Sequence, residues 1–383
     1  MSMIALDVFF AAHDSLFFRG SRPHAAAGSS SLPSEFPPAA STLSGSLRTR
    51  LGDALGVCWK SFSQGQGMVE LDGDSINLEE LIGNGEHAGQ MHFGEVKLYK
   101  AGARLYPMPA ILLETDKGEL LRMELGSAVR CDLGNVRLGQ LPTGTHAKPL
   151  ENAWLTHSGY ERFLQGQMPA KTDVVKVADL FKYEERLGIG RNNKKATVES
   201  GLLYQTAHLR LQPDVEFAIE VTLPKAAASL LEADVRTNSV QRLGGEGRMA
   251  MLRTAPAVDG VQTCKGHPSV LMLLTDMLPD SDFTQQPLSG LQPAIVDGVD
   301  CWEGAIHGVG VRLWSVASGK ARRVGGWDTR RHQPREVQSF IPAGSCFYVE
   351  PLDDSQDLTL LHGKAIGRRT DFGFGTLVCA LSY

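Results

Sequence analysis

Residues 215–223, VEFAIEVTL, alternate between apolar and polar side chains. The odd positions from Val215 to Leu223 are apolar, whereas Glu216 and Glu220 are charged. A period of two places these two sets on opposite faces of a sheet and predicts a half-buried strand. Residues 4–10 alternate in the same way and predict a first strand near the start of the chain.

An apolar side chain at every fourth position predicts a helix after this first strand. Leu43, Leu47, Leu51 and Leu55 follow one another at that spacing and form one stripe. Ser41 comes just after a pair of prolines and is expected to be the N-cap.

Weaker patterns complete an order of elements in the first half of the chain. Segments 91–99 and 105–114 predict strands, 154–166 predicts a short helix, and a long hairpin is expected over about 183–206. The resulting order, strand, helix, strand, strand, helix, strand, is that of the ferredoxin-like split unit. The hairpin is an insertion before its last strand.

The C-terminal part predicts a second α+β unit. Residues 228–240 have the composition of a helix, and 270–277, 309–316 and 343–352 read as strands. With 383 residues, two domains are expected, and we place the boundary near Pro224, giving domains 1–224 and 225–383.

Composition excludes several classes of protein. The chain is 42% hydrophobic with a net charge of −5, which is ordinary for a globular protein and argues against a DNA-coating protein. Six cysteines without CxxC spacing predict reduced thiols, a cytoplasmic location and no zinc site or other cofactor. We expect no signal peptide, no membrane association and no small-molecule substrate.

Positive charge is gathered in short segments despite the negative total. Residues 182–195 and 320–335 are rich in Lys and Arg, and glycine turns lie beside basic residues at 188–190, 243–247 and 373–375. Arginine, lysine and glycine backbone amides together favour binding of phosphates. Taken singly, each segment is more typical of a solvated face or an ordinary turn.

Catalytic chemistry has weaker support. Walker A, Rossmann, GxSxG and HExxH patterns are absent from the sequence. His13, beside Asp14, and His24, His332 and His362, in or near basic stretches, are the candidates for a ribonuclease base. The aromatic residues that can stack on bases if exposed are Phe18, Trp327, Phe347, Tyr348, Phe372 and Phe374, and a core position is favoured for Phe347 and Tyr348.

Several motifs, in order, resemble one family. They are FFRGSRP (17–23), FPPAASTLSGSLR (36–48), LYPMPA (105–110), EERLGIGRNN…GLLY (184–204), RLGGEGR (242–248), VGGWD (324–328), IPAGSCFY (341–348) and GFG (373–375). Together they are similar to the Cmr subunit three family of type III-B CRISPR effector complexes, a branch of the RAMP proteins. The tract 111–150 matches nothing in that pattern.

The resemblance implies two ferredoxin-like, RRM-like domains with an inserted β-hairpin thumb. It also implies a non-catalytic subunit for antiviral defence that caps the complex and holds the 5′ handle of the crRNA. The implied partners are the crRNA, target RNA near the handle, the large polymerase-like subunit and the first backbone subunit.

The resemblance also assigns RNA-binding positions to the loop after the first strand, the first helix, the thumb, the second glycine turn, VGGWD and the GFG loop. These residues are Arg19, Arg22, Ser41, Thr42, Arg48, Arg186, Gly188, Gly190, Arg191, Asn192, Lys194, Lys195, Arg242, Gly244, Gly245, Arg248, Trp327, Gly373, Phe374 and Gly375.

Two alternatives to an RNA-holding subunit stay open at this point. One is a RAMP-type, metal-independent endoribonuclease that processes precursor crRNA. The other is a scaffold whose surfaces bind only other proteins. Cleavage of repeat RNA by the isolated protein favours the first, and a stable subcomplex without RNA favours the second.

Overall fold

A computed structural model describes residues 2–20, 31–132, 134–192, 195, 197–258, 263–328 and 333–383. Within these residues the chain is rich in strands and has few helices. The candidates Arg22, Lys194, His24 and His332 lie outside the described residues.

The helices are few and mostly short. They are α1 (Ala40–Ala54), α2 (Trp59–Ser63), α3 (Leu78–Ile82), α4 (His157–Leu164) and α5 (Lys225–Thr237), with 3-10 turns at Lys171–Asp173, Val177–Asp179 and Leu358–Leu361.

Strands account for most of the regular structure. In chain order they are β1 (Met3–Ala12), β2 (Ser31–Pro33), β3 (Met68–Leu71), β4 (Asp74–Asn77), β5 (His92–Lys100), β6 (Ala103–Pro107), β7 (Leu112–Thr115), β8 (Leu120–Arg122), β9 (Glu124–Cys131), β10 (Gly134–Gln140), β11 (Ala147–Pro149), β12 (Ala153–Thr156), β13 (Val174–Lys176), β14 (Phe181–Asn192), β15 (Thr197–Leu211), β16 (Val215–Pro224), β17 (Val240–Arg242), β18 (Met249–Pro256), β19 (Val270–Leu273), β20 (Leu291–Val296), β21 (Val299–Ile306), β22 (Val309–Ala317), β23 (Arg322–Val324), β24 (Trp327–Asp328), β25 (Gln333–Pro334), β26 (Gln338–Phe340), β27 (Cys346–Pro351) and β28 (Leu377–Ala380).

The chain forms two compact units whose segments interleave along the sequence. Unit 1 comprises residues 1–102, 178–257 and 323–338, and unit 2 comprises 103–177, 258–322 and 339–383. The boundary predicted near Pro224 does not coincide with these limits. Pro224 ends β16 and directly precedes α5, and both elements belong to unit 1.

The core of unit 1 is an antiparallel sheet in the order β5-β16-β1-β18-β17. In the register, Val8 lies opposite Ile219 and Phe10 opposite Phe217. These side chains are fully buried, and α1 and α5 pack against the sheet. The alternation predicted at 215–223 is confirmed, since the odd positions are buried and the charged positions are half-buried.

Helix α1 follows its predicted stripe but begins differently. Leu43, Leu47 and Leu51 are fully buried, and burial of each leucine contributes about 1.5–3 kcal/mol. The prediction that Ser41 is the N-cap is wrong, because Ala39 holds that position and makes no side-chain cap. Ser41 and Thr42 lie in the first turn, where both are half-buried.

The basic side chains of α1 serve the fold of unit 1. Arg48 donates from Nε to the carbonyl oxygen of Ile82, which ties α1 to the end of α3. Arg50 is buried and pairs with Asp234 near the C-terminal end of α5. Arg48, predicted to bind RNA, therefore already has a structural hydrogen bond.

A long antiparallel hairpin, β14–β15, spans the segment where the sequence predicts one. Its register runs from Phe181 opposite Leu211 to Asn192 opposite Thr197, with an irregularity after Ile189. Strand β2 adds to β15 in parallel, with Leu32 opposite Thr206. At Gly188 an added Cβ would overlap the Tyr204 ring, so this glycine leaves room for a cross-strand aromatic side chain.

Unit 2 contains a six-stranded sheet in the order β20-β21-β22-β27-β19-β28. Its central strands are buried on both faces: Leu271 and Leu273 join one apolar cluster, whereas Val270 and Met272 join another. This double burial explains why the segment predicted as a buried strand at 270–277 is continuously apolar. The strand itself ends at Leu273.

The helix predicted at 154–166 is shorter in the structure. Residues 153–156 form β12, with Trp154 opposite Val175 and Leu155 opposite Val174, and α4 starts only at His157. The Thr156 side chain accepts the cap hydrogen bond from Gly159. Trp154 and Leu155, the two apolar residues before Thr156, therefore belong to a buried strand and not to the helix.

The tract 111–150, which matches no motif, packs against the unit 2 sheet. The Arg137 guanidinium of β10 lies 5.1 Å from the centre of the Trp314 ring on β22. The Asn135 backbone N–H donates to Asp300 at 2.9 Å. This tract therefore covers a face of β21 and β22.

The GFG loop is a packing element of unit 2. Phe374 is 2% exposed and its ring centre lies 4.8 Å from that of Phe340. The prediction that Phe374 offers a ring to RNA is corrected by this burial, because stacking on a base needs an exposed face. Gly373 and Gly375 both have positive φ, and the Gly375 N–H donates to the Asp276 carbonyl oxygen at 2.9 Å.

Substituting Gly375 by alanine is expected to destabilise the protein by about 3 kcal/mol or more. An added Cβ would overlap the Ile366 carbonyl oxygen, at a residue whose φ is 80°. Gly308 has a similar φ of 81° but open space around it, so Gly308→Ala serves as control, with a cost of about 1–2 kcal/mol from backbone strain. Urea unfolding of both variants measures the difference; equal midpoints would contradict the packing role.

All six cysteines are free, and four of them are buried. Burial raises the pKa of Cys346 and of Cys379 to about 12, so both thiols are protonated. In the part of the chain that the structure describes, no helix has the length and apolar character needed to cross a bilayer.

Candidate RNA-contact surface

Three arginines from separate segments of unit 1 meet around two carboxylates. Asp14 Oδ2 lies 3.2 Å from the Arg186 guanidinium and 3.4 Å from that of Arg248, and its Oδ1 lies 2.9 Å from Arg210. Glu184 pairs with Arg186 and with Arg210. We call these five residues the arginine cluster.

The hairpin register explains why the cluster forms. Along β14, Glu184 and Arg186 share one face, and Glu184 lies opposite His208 in β15. Because side chains alternate along a strand, Arg210 lies on the same face as His208. This places Arg210 diagonal to Glu184, within reach of its carboxylate.

The other two members come from turns next to β1. Asp14 follows the end of β1, and Arg248 closes the glycine turn at 244–247. The Gly245 N–H donates to the Phe17 carbonyl oxygen at 2.8 Å, and the Leu243 N–H donates to that of Arg248 at 2.9 Å. An added Cβ at Gly244 would overlap the Phe17 carbonyl oxygen, so this glycine lets two protein backbones approach each other.

The cluster is open to solvent and carries one net positive charge. The exposed fractions of the side chains are 33% for Arg186, 49% for Arg210 and 20% for Arg248. A hydrogen bond from the Ser15 backbone and then one from Arg210 hold the pKa of Asp14 below its ordinary value. Arg210 and Arg186 lower the pKa of Glu184 in the same way. Both carboxylates are therefore ionised at neutral pH.

His208 lies buried next to the cluster. Its Nε2 is 3.1 Å from the Thr206 hydroxyl, its Nδ1 is 3.4 Å from the Ser15 hydroxyl, and its ring stacks on Phe17. Burial lowers the pKa of His208, and the charges of Arg248 and Arg186 lower it further. The imidazole is therefore neutral, and it packs from β15 of the hairpin against Ser15 and Phe17 in the loop after β1.

The sheet of unit 1 itself is a poor surface for RNA. In β1, the Asp7 side chain lies on the face opposite to Leu6 and Val8. Asp7 binds Lys97 at 2.7 Å, and the same lysine lies 3.2 Å from Glu220. Two carboxylates, Asp7 and Glu220, flank this one lysine, and their excess negative charge repels phosphates. The cluster at the base of the hairpin is the stronger candidate.

The structure brings together some of the predicted RNA-binding residues. Arg186, Gly244, Gly245 and Arg248 converge at the arginine cluster. Arg19 is exposed in the loop after β1, where it bridges to Ser34. The side chain of Arg242 is exposed, and its carbonyl oxygen accepts a 2.8 Å hydrogen bond from Ser46 of α1.

Other predicted residues lie elsewhere. Trp327 is 54% exposed in the short β24–β25 ladder of unit 1, and Gly373, Phe374 and Gly375 belong to unit 2. Lys195 lies exposed in the turn of the hairpin. The backbones of Gly190, Arg191 and Asn192 belong to β14, and the side chains of Arg191 and Asn192 are outside the described residues.

Sequence reasoning missed Arg210, Glu184 and His208 as parts of this surface. The signal for His208 and Arg210 is present in residues 205–211, QTAHLRL, where polar residues alternate with the buried Ala207 and Leu209. The suggestion that Asp14 orients the His13 imidazole does not hold in this structure, because Asp14 pairs with the three arginines.

The described histidine candidates offer little for general base chemistry. His362 Nδ1 accepts the Cys379 N–H at 3.1 Å, and His13 is exposed with its backbone N–H bonded to Met249. His157, a histidine that the sequence did not single out, has both ring nitrogens engaged, by Tyr106 at 3.0 Å and Glu161 at 3.1 Å.

Nearly the whole chain matches a known protein family. Residues 10–381 match the model of a family described as CRISPR-associated protein (Cas_Cmr3). A chain of a solved type III-B Cmr-beta complex bound to cognate target RNA is 16% identical, with 89% of this chain and 86% of that chain covered and a TM-score of 0.48. A chain of a Csm3–Csm4 subcomplex of a type III-A CRISPR-Cas interference complex is 9% identical, with coverages of 91% and 94% and a TM-score of 0.38. A search of curated proteins found no match.

Proposed function

Since this chain belongs to the CRISPR-associated Cas_Cmr3 family, we propose that it is the non-catalytic subunit that holds the crRNA 5′ handle in a type III-B effector complex. The observation that carries the proposal is the convergence of Arg186, Arg210 and Arg248 on an open surface. Guanidinium groups bind phosphate oxygens in a bidentate manner, which suits an RNA backbone.

The loop after β1 and the glycine turn extend this surface. Arg19 and Arg242 are exposed on the segments that flank the cluster in sequence, and we assign them to further phosphates. We assign Arg22, Lys194 and Lys195 to the same RNA path from the family pattern. Ser41, Thr42 and Trp327 are assigned with less structural support, since none of them contacts the cluster in the described residues.

We assign the β14–β15 hairpin to the thumb that meets the guide–target duplex where the handle begins. Gly188, Gly190, Arg191 and Asn192 lie on its first strand. The strand order β5-β16-β1-β18, with α1 after β1 and α5 after β16, supports a ferredoxin-like core for unit 1. A second ferredoxin-like domain in the C-terminal part belongs to the same proposal.

The partners follow from this role. We propose that the protein docks the large polymerase-like subunit and the first backbone subunit, in the cytoplasm, as part of antiviral defence. A nuclease role is not favoured, because the ring nitrogens of the buried His208 lie next to the Ser15 and Thr206 hydroxyls, and His362 Nδ1 accepts the Cys379 N–H.

Co-purification of the full chain from cells that carry a matching CRISPR array, followed by sequencing of bound small RNA, tests the proposal. We expect RNAs that share one repeat-derived 5′ sequence and differ in their guides. The matched control carries Arg186→Ala, Arg210→Ala and Arg248→Ala together and is expected to recover much less of this RNA. Random cellular RNA in both preparations would reject the proposal, and shortened repeat RNA made by the isolated protein would favour the endoribonuclease.

A further inference from the structure

The carboxylate of Asp14 stands where an RNA phosphate has to bind if the proposed function is right. Its two oxygens together contact three guanidinium groups, at 2.9, 3.2 and 3.4 Å. An Asp side chain and a phosphodiester each present one negative charge and at least two acceptor oxygens, and guanidinium groups pair with both in the same geometry. Asp14 therefore occupies the arginines in the way a phosphate would.

We propose that Asp14 is a specificity-determining residue that an RNA phosphate must displace from Arg186, Arg210 and Arg248. This inference rests on the proposed function, because it assumes that the arginine cluster binds RNA. It goes further because it assigns a role to Asp14: competition from its carboxylate weakens the binding of RNA that makes few other contacts with the protein.

The physical basis is an exchange of one anion for another. When a phosphate replaces Asp14, the arginines lose one negative partner and gain one, so this contact yields less net electrostatic free energy than it would without Asp14. Tight binding then needs further contacts from the same RNA, such as those at Arg19 and Arg242.

The surroundings allow this exchange. The Asp14 side chain is 45% exposed, and Asp14 lies two residues after the end of β1, so the side chain can rotate into solvent without moving the sheet. Glu184 is held within β14 and keeps its contacts with Arg186 and Arg210, which preserves the orientation of both guanidinium groups. The Arg186 and Arg210 groups thus stay positioned while Asp14 leaves.

The test compares Asp14→Asn with wild type in the full chain, using two probes. One is the small RNA that co-purifies with the protein, and the other is an oligouridylate of the same length. We expect Asp14→Asn to bind oligouridylate about five- to tenfold more tightly.

Two control variants separate the effect of the negative charge at position 14 from the effects of total charge and of side-chain identity. Asp214→Asn removes an equally exposed carboxylate, 41% against 45%, from an ion pair with Lys100, and is expected to leave oligouridylate binding unchanged. Asp14→Glu keeps the negative charge and is expected to behave like wild type. Urea midpoints equal to wild type establish that each variant is folded.

The possible results are distinguishable. Weaker or unchanged oligouridylate binding by Asp14→Asn, while Arg186→Ala and Arg248→Ala weaken binding, overturns the role of Asp14 and leaves the proposed function standing. Unchanged RNA binding by the arginine variants overturns both. Tighter binding by Asp14→Asn together with unchanged binding by Asp214→Asn supports the exchange.

Discussion

Replacing Arg186 and Arg248 together by alanine is expected to lower the affinity of the full chain for its co-purifying RNA by about a hundredfold or more. A hydrogen bond to a charged group contributes about 1.5–3 kcal/mol, or roughly a factor of ten or more for each arginine. The slope of log K against log salt is expected to become shallower by about 0.7, since the contact with the phosphate that replaces Asp14 is lost. Filter binding or fluorescence anisotropy over a salt series measures both quantities.

The matched control removes two exposed cations from helix α5 of the same unit. Lys225 and Arg236 are both exposed and lie on α5. Lys225→Ala with Arg236→Ala changes the net charge by the same amount, and its affinity is expected to stay within about twofold of wild type. Equal losses in the two double variants would mean that RNA binding depends on total charge and not on the arginine cluster.

Replacing Asp7 by alanine is expected to reduce the free energy of unfolding by about 3–5 kcal/mol. The side chains of Asp7 and Lys97 are 1% and 2% exposed, and their charged atoms lie 2.7 Å apart. Burial opposes the charge on Lys97, but Asp7, Glu95 and Glu220 raise its pKa above the ordinary value. Without Asp7, the buried ammonium loses its shorter contact and keeps the longer one with Glu220 at 3.2 Å.

The pH dependence of this pair has a definite sign. Because the pKa of Lys97 is raised in the folded protein, the stabilisation is fully present below the lysine's unfolded pKa of about 10.4 and is lost as pH rises through the folded value. Urea unfolding at neutral and at alkaline pH measures the loss. Asp7→Leu with Lys97→Met is expected to recover most of the stability, whereas an unfolding free energy for Asp7→Ala within about 0.5 kcal/mol of wild type would contradict the account.

Local patterns predicted single elements of unit 1 but not their order, because the segments 105–114 and 154–166 lie in unit 2, and β16 is followed in unit 1 by α5 and β18 and is therefore not its last strand. The alternation at 215–223 and the leucine stripe of α1 both reflect burial of one face of the element. Such burial is visible in the residues of the segment itself, so it can be predicted locally. Trp154 and Leu155 were assigned to a helix because apolar residues next to a helical segment resemble its continuation. Their pairing with β13 depends on residues about twenty positions away, and such pairing leaves no local period.

The arginine cluster was predictable only in part. Arg186, Arg248 and the glycine turns stood out because basic residues and glycines lie side by side in the sequence. Asp14 and Arg210 did not, since their contacts join residues 196 positions apart through the register of the hairpin. Phe374 was misassigned because a glycine-flanked aromatic residue has the same sequence signature in a core turn as in an exposed loop.

Ultraviolet crosslinking of the full chain to its co-purified RNA, with mass spectrometry of the crosslinked peptides, tests most directly whether the RNA backbone lies on the arginine cluster. We expect crosslinks to concentrate in residues 13–20, 184–210 and 242–248, and to decrease when Arg186, Arg210 and Arg248 are replaced. Crosslinks confined to other parts of the chain, such as strands β20–β22 at 291–317, would contradict the assignment.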